Sequence, residues 1–178
     1  MKNYKILGIY ERIAKILSFC IFELLRKGSG LLVSEIRRFS DVNLDALLDV
    51  YSQSLGQKNW SEVNTFLEDL QLFFNNKNVR VIQWVEEGKA VAAMRLEPYQ
   101  NGFLITCLET HPHYRRKGYA LRLLESVMGS NPGVYYSHVD KRNKPSLQLH
   151  RKLGFETIFD YAVHVDGSVY SGSVTLRK

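Results

Sequence analysis

Arg115-Arg116-Lys117-Gly118-Tyr119-Ala120 is a short basic run that contains a glycine. It follows an apolar stretch, Phe103 to Leu108. It precedes Leu121, Leu123, Leu124, Val127 and Met128, which are spaced like the buried face of a helix. A strand, a basic glycine turn and a helix can together hold a phosphate. The first N–H groups of a helix have no acceptor inside it and carry partial positive charge, and an anion at that end satisfies them. Gly118 presents no side chain where a pyrophosphate must approach the backbone, and three cationic side chains precede it. Basic residues and a glycine before a helix also occur in ordinary loops, so this run alone does not assign a ligand.

A second segment narrows the choice. From Asn143 the chain reads Asn-Lys-Pro-Ser-Leu-Gln-Leu-His-Arg-Lys-Leu-Gly-Phe155. Pro145 suits the opening of a helix, Leu147, Leu149 and Leu153 supply apolar contacts, and Gly154 suits its C-terminal stop. Val134 to Val139, between the two segments, reads as a strand. In this order the segments resemble the GCN5-related N-acetyltransferases, the acyl-CoA-dependent GNAT superfamily. That family's pyrophosphate loop, Arg/Gln-x-x-Gly-x-Gly/Ala, stands here as Arg115 to Ala120. Its second pattern, Asn-x-x-Ala-x-x-Leu-Tyr-x-x-x-Gly-Phe, is met in spacing by Asn143, Ser146, Leu149, Gly154 and Phe155. His150 stands where tyrosine is usual. The resemblance covers roughly Leu31 to Lys178 and leaves out the first thirty residues.

The resemblance implies acetyl-CoA as acyl donor, with its pyrophosphate on Arg115, Arg116, Lys117, Gly118, Tyr119 and Ala120. It implies a gap between the strand ending at Thr110 and the following parallel strand, which would receive the pantetheine arm. Backbone groups of Leu108 and Thr110 would line that gap, the Thr110 N–H polarising the thioester carbonyl as an oxyanion donor. Asn143 is a CoA contact or, more plainly, a helix-entry cap. An amine must be neutral to attack, so a base is needed. Glu109 is the candidate by position; a salt-bridged carboxylate is its plain alternative, and Glu97 acting through water competes. His150 would protonate the departing thiolate, since an imidazole titrates near pH 6.5; its reach is shorter than that of a phenol, and a helical histidine is commonly structural. No cysteine suits a covalent intermediate, so transfer to a primary amine would be direct, in a ternary complex. Two alternatives stand: a GNAT-like module that binds acyl-CoA without chemistry, and a membrane-associated or scaffold protein working through its first helix.

These residues need elements to position them. Leu32 to Phe39 reads as a strand. Asn43 to Gln53 and Ser61 to Phe74 have helical periodicity, with Asp41 or Asn43 and Ser61 as N-caps. Val79 to Glu86 and Lys89 to Glu97 read as strands around a Glu-Glu-Gly-Lys turn. Then come the strand Phe103 to Thr110, the helix Gly118 to Met128, the strand Val134 to Val139 and the helix Pro145 to Leu153. Phe155 to Val165 and Val169 to Leu176 read as a last hairpin around Asp166-Gly167. This order, β-α-α-β-β-β-α-β-α-β-β, is that of an α+β domain. The resemblance adds a mixed, mostly antiparallel central sheet with a splayed parallel strand pair and flanking helices.

At 178 residues, 45% hydrophobic and 24% charged, the chain is sized and composed like one globular domain rather than a disordered one. The net charge of +6 is uneven: residues 1–30 hold six Lys/Arg against two Asp/Glu. The basicity therefore belongs to an N-terminal extension, and nucleic-acid binding is not expected. Within that extension Ile9 to Arg26 reads as an amphipathic helix. Its charge-free run, Ile16 to Phe22, falls short of the ~20 residues that span a bilayer, and Glu11, Arg12 and Lys15 spoil a signal peptide. The helix packs on its own domain, forms a homodimer contact, or lies on a membrane surface. Gly28-Ser29-Gly30 reads as a flexible break, dividing an extension (1–30) from the acyltransferase domain (31–178). Cys20 and Cys107 read as buried thiols, and no metal pattern is present. His111, His113, His138 and His164 read as structural or surface residues. The expectation is a cytoplasmic N-acetyltransferase that uses acetyl-CoA, no metal, and a small-molecule or peptide amine acceptor.

Overall fold

The computed structural model describes residues 32–52, 60–75, 79–164 and 167–178. The expected N-terminal helix, the break at Gly28-Gly30, Cys20 and Asp166 lie outside the described residues. The strands are β1 (Leu32–Ile36), β2 (Arg80–Glu86), β3 (Lys89–Tyr99), β4 (Gly102–Thr110), β5 (Val134–Asp140), β6 (Glu156–Phe159), β7 (Ala162–Val163), β8 (Val169–Tyr170) and β9 (Ser173–Arg177). The helices are α1 (Leu44–Val50), α2 (Trp60–Asn75), α3 (Tyr119–Ser130) and α4 (Lys144–Lys152). Single 3-10 turns follow β1 and β4.

Seven strands form one sheet in the order β1-β2-β3-β4-β5-β9-β6. The β2-β3, β3-β4, β5-β9 and β6-β9 pairs are antiparallel and β4-β5 is parallel. A parallel neighbour needs a crossover, and α3 supplies it. The expected α+β architecture with a mostly antiparallel mixed sheet is thus present.

Each face of the sheet buries a different helix set. On one face Leu123, Leu124 and Val127 of α3 pack on Met94, Leu96, Ile105, Tyr135, Val139 and Leu176. On the other, Leu47, Val50, Tyr51, Leu70 and Phe74 of the α1–α2 region cover Val81, Ala90 and Ala93. Strands buried on both faces read as continuous apolar runs, as β3 does at Ala90–Met94.

Some expectations need correction. α1 ends at Val50, earlier than Gln53, and Ser61 lies inside α2 instead of capping it. Asn43 is the observed cap of α1, its side chain accepting the Ala46 N–H. The expected last hairpin does not form as two long strands. The chain breaks at Asp160–Tyr161 and again after Val163. β7 and β8 pair with each other in a separate ribbon, while β9 leaves them to insert between β5 and β6. The ribbon turns beside Gly167, whose N–H meets the His164 carbonyl at 2.9 Å, but apolar alternation could not show that one run serves two sheets. Cys107, expected buried, is exposed, because it sits in an irregularity of β4.

Candidate active site

β4 and β5 run side by side only from Gly102↔Val134 to Ile105↔Ser137. Beyond that pair they part, β4 continuing along β3 to Thr110 and β5 along β9 to Asp140. The cause is a bulge in β4. Arg95 pairs with Thr106 and Ala93 with Glu109, so Cys107 and Leu108 together face the single Met94. An extra residue bends its strand and increases the local twist. Cys107 takes the left-handed conformation this requires, with φ 49°. The Tyr51 hydroxyl donates to the Cys107 carbonyl at 2.7 Å and pins the bulge. Burial holds the Tyr51 phenol well above its ordinary pKa, so the proton it donates is always there. Leu108 lies in the bulge and Thr110 at the end of the diverging arm.

The basic loop stands at that end. His111 accepts the His113 N–H through Nδ1 at 3.2 Å and opens a 3-10 turn. Arg115 folds back, its Nε donating to the Thr110 carbonyl at 3.0 Å and Nη2 to Glu109 Oε1 at 3.2 Å. Arg116 and Gly118 both have positive φ, 63° and 83°; alternate left-handed residues turn successive N–H groups toward one side. Gly118 is the N-cap of α3 and provides no side-chain cap. The Arg122 N–H bonds to the Gly118 carbonyl at 3.0 Å, so the N–H groups of Tyr119, Ala120 and Leu121 precede the first intrahelical bond. Arg115, Arg116, Lys117 and Gly118 are exposed. A Cβ added at Gly118 would meet nothing within 4 Å, so a ligand can approach the backbone there. Open N–H groups, a helix N-terminus and cations fit a pyrophosphate.

Other expected residues are placed as follows. Asn143 caps α4, its Oδ1 accepting the Ser146 N–H at 3.1 Å; its amide nitrogen makes no bond among the described residues. Asp140, held near pKa 2 by the Arg142 side chain and backbone N–H, tightens the turn that precedes it. His150 is buried and its ring meets Phe155 edge-on at 5.0 Å. Its Nδ1 lies 2.8 Å from the Ser146 carbonyl. A carbonyl only accepts, so the ring proton is on Nδ1 and Nε2 carries a lone pair. Burial lowers the His150 pKa, opposed by the bond to Ser146. Glu109 and Arg115 are joined, and Glu97 accepts the Thr106 hydroxyl at 2.6 Å.

Among the aromatic residues, Tyr51, Trp84, Tyr99, Tyr135 and Tyr136 are buried, whereas Tyr161 is exposed. Sequence reasoning gave neither Tyr51 nor Arg122 its structural role in the site. Arg122 lies over the Tyr119 and Trp84 rings and donates to the Lys117 carbonyl at 3.1 Å, bracing the loop. An open cleft of about 530 Å³ adjoins the loop, lined by Asp49, Lys89, Ala90, His111, His113, Tyr114 and Lys117.

A family model described as the acetyltransferase (GNAT) family matches residues 44–155. No curated protein matches the sequence significantly. Among solved structures, the ribosomal-protein-S18-alanine N-acetyltransferase of Escherichia coli is similar at 19% identity and TM-score 0.58, covering 83% of this chain and 92% of its own. An N-acetyltransferase of Thermoplasma acidophilum, in complex with coenzyme A, is similar at 14% identity and TM-score 0.59, with 84% and 99% covered. An aminoglycoside 6'-acetyltransferase type Ii is similar at 18% identity and TM-score 0.62, with 83% and 96% covered. At these identities the likeness is one of fold.

Proposed function

The chain belongs to the GNAT family of acetyltransferases, and from that premise we propose that it moves an acetyl group from acetyl-CoA to a primary amine, directly and in a ternary complex. The observation that carries this reading is the β4–β5 splay with the uncapped N-terminus of α3 at its outer end. Arg115, Arg116, Lys117 and the N–H groups from Gly118 to Ala120 would hold the pyrophosphate. The gap between the strands would take the pantetheine arm, and Asn143 has an amide nitrogen left to meet it. When bound, acetyl-CoA supplies an acyl carbon activated as a thioester.

The residues around it do the rest. The bulge frees the outer arm of β4 from β5, so backbone N–H groups of Leu108 and Thr110 can face the gap. A fixed N–H donor aimed at a developing oxyanion contributes about 3 kcal/mol. Arg115 couples the two halves of the site, since one guanidinium bonds the strand end and stands in the pyrophosphate loop. We assign Glu109 chiefly to that coupling. His150, with its single proton given to Ser146, supports α4 against Phe155; an acid role would need a second proton on a buried ring. The CoA sulfur takes its proton from solvent in this reading.

The names of two fold relatives, one an alanine N-acetyltransferase and one an aminoglycoside acetyltransferase, suggest which amines to try first. The test is thiol release from acetyl-CoA over alanine-terminated peptides, aminoglycosides and polyamines. Amine-dependent release, abolished by Arg115→Ala, supports the reading. Acetyl-CoA binding with no release over the whole panel supports a binding module in its place.

A further inference from the structure

The residues beside the splay, on the sheet face that meets α1, are polar. Register fixes that face. Ala93 packs with Leu47, Val50 and Tyr51, and side chains two apart along a strand share a face. Arg95 and Glu97 are therefore on it, and Thr106, paired with Arg95, is on it too. On β5, Tyr135 and Val139 belong to the core under α3. Tyr136 and His138 thus point the other way, and Tyr136 packs on Tyr99 and Leu104. The last parallel pair is Ile105↔Ser137. Thr106 and His138 are accordingly the first residues beyond it, one on each arm, both on this face.

Their side chains differ in what they hold. The Thr106 hydroxyl is committed to Glu97, whose carboxylate also lies 3.9 Å from Arg95. His138 has Tyr99 edge-on at 5.5 Å and His164 edge-on at 5.8 Å. Its Nε2 is buried with no hydrogen-bond partner among the described residues. A polar atom buried and left bare is costly and needs a reason.

We propose that His138 is a catalytic residue, the base that takes the proton of the acceptor amine at Nε2. The inference rests on the acyltransferase reading above. The amine nitrogen bonds to the acyl carbon, and the C–S bond breaks with its electron pair on the CoA sulfur. The proton lost by nitrogen passes to Nε2, and solvent carries an equivalent proton to the sulfur. In the tautomer with its proton on Nδ1, a neutral imidazole presents a lone pair at Nε2 and can accept a proton there. Burial first, and then His164, lowers the His138 pKa, which favours the neutral ring. Other ionisable groups on this face are Arg95, Glu97 and Tyr99 of β3, Glu109 of β4, Tyr136 and Asp140 of β5, Arg177 of β9, and Tyr51, which packs on Ala93.

The full chain provides the test. Histidine-selective NMR, assigned with His138→Gln, reads the charge state of the ring. Calorimetry reads acetyl-CoA affinity. Thiol release is followed against pH with hydroxylamine and hydrazine, acceptors small enough for any cleft. The account expects His138 to titrate below pH 6.5. It expects His138→Gln to lower kcat/KM about 100-fold, to erase its acid limb, and to leave acetyl-CoA affinity within about twofold of wild type. Glu109→Gln should weaken acetyl-CoA binding and keep the limb. A folded His138→Gln with wild-type rate and limb overturns the proposal, as does a ring charged at pH 7. If His138→Gln does not fold, His138→Asn carries the kinetics while the wild-type titration stands by itself. Wild type that binds acetyl-CoA and acylates neither surrogate removes the acyltransferase reading, and this inference with it.

Discussion

At the scale of single residues, the site depends on positions whose backbone conformation is special. Gly118 sits at φ 83° with open space around it, so its cost on substitution is conformational. Gly118→Ala should destabilise the fold by about 1 kcal/mol in urea unfolding, since an L side chain is penalised in the left-handed region. Tyr51 illustrates the complement. Its bond to Cys107 spans 56 positions of sequence. Tyr51→Phe should lose about 1 kcal/mol of stability, measured by the same unfolding curve. It should also raise the acetyl-CoA KM, because the bulge would no longer be pinned. The loop Arg115–Ala120 was legible in the sequence because its chemistry is contiguous. Tyr51, Arg122 and His138 were not, because each acts only when strands and helices bring distant residues together.

At the scale of elements, the decisive one is the β4–β5 pair. Gly102 opens β4, and a Cβ there would run into the Val134 carbonyl of β5. Gly102→Ala should therefore disturb the parallel register and reduce stability by about 2 kcal/mol, as overpacking does; differential scanning calorimetry would show it. Helix α3 joins the pair and buries Leu123 and Leu124 completely. Leu124→Ala should cost about 3 kcal/mol through the cavity it leaves. Periodicity located α3 and β5 to within two residues, since each has one buried face of clear period. The segment from Phe155 onward resisted the same reading. β6 is exposed along its length, β7 and β8 are two residues each, and such runs carry too little pattern to reveal which partner they choose.

At the scale of the whole molecule, two helix layers clamp one sheet and leave a splay between its interior strands β4 and β5. No helix among the described residues is long and apolar enough to cross a membrane. The clamp also sets how stability responds to acid. His150 is buried and its pKa is lowered in the folded state. The unfolded chain binds that proton near pH 6.5, so the stabilisation is complete above this pH and is lost as pH falls below it, by up to about 1.4 kcal/mol per pH unit. Melting temperature should accordingly drop between pH 7 and pH 5, and His150→Gln should flatten that slope. The proposal that ties these scales together is that the open end of α3 beside the splay is an acetyl-CoA site. Calorimetric titration of the protein with acetyl-CoA, beside its Gly118→Glu variant, tests it most directly. Saturable binding by the wild type that weakens at least about tenfold (1.4 kcal/mol) in the variant is the predicted result. A folded wild type that binds no acetyl-CoA, or a variant that binds it equally well, would contradict it.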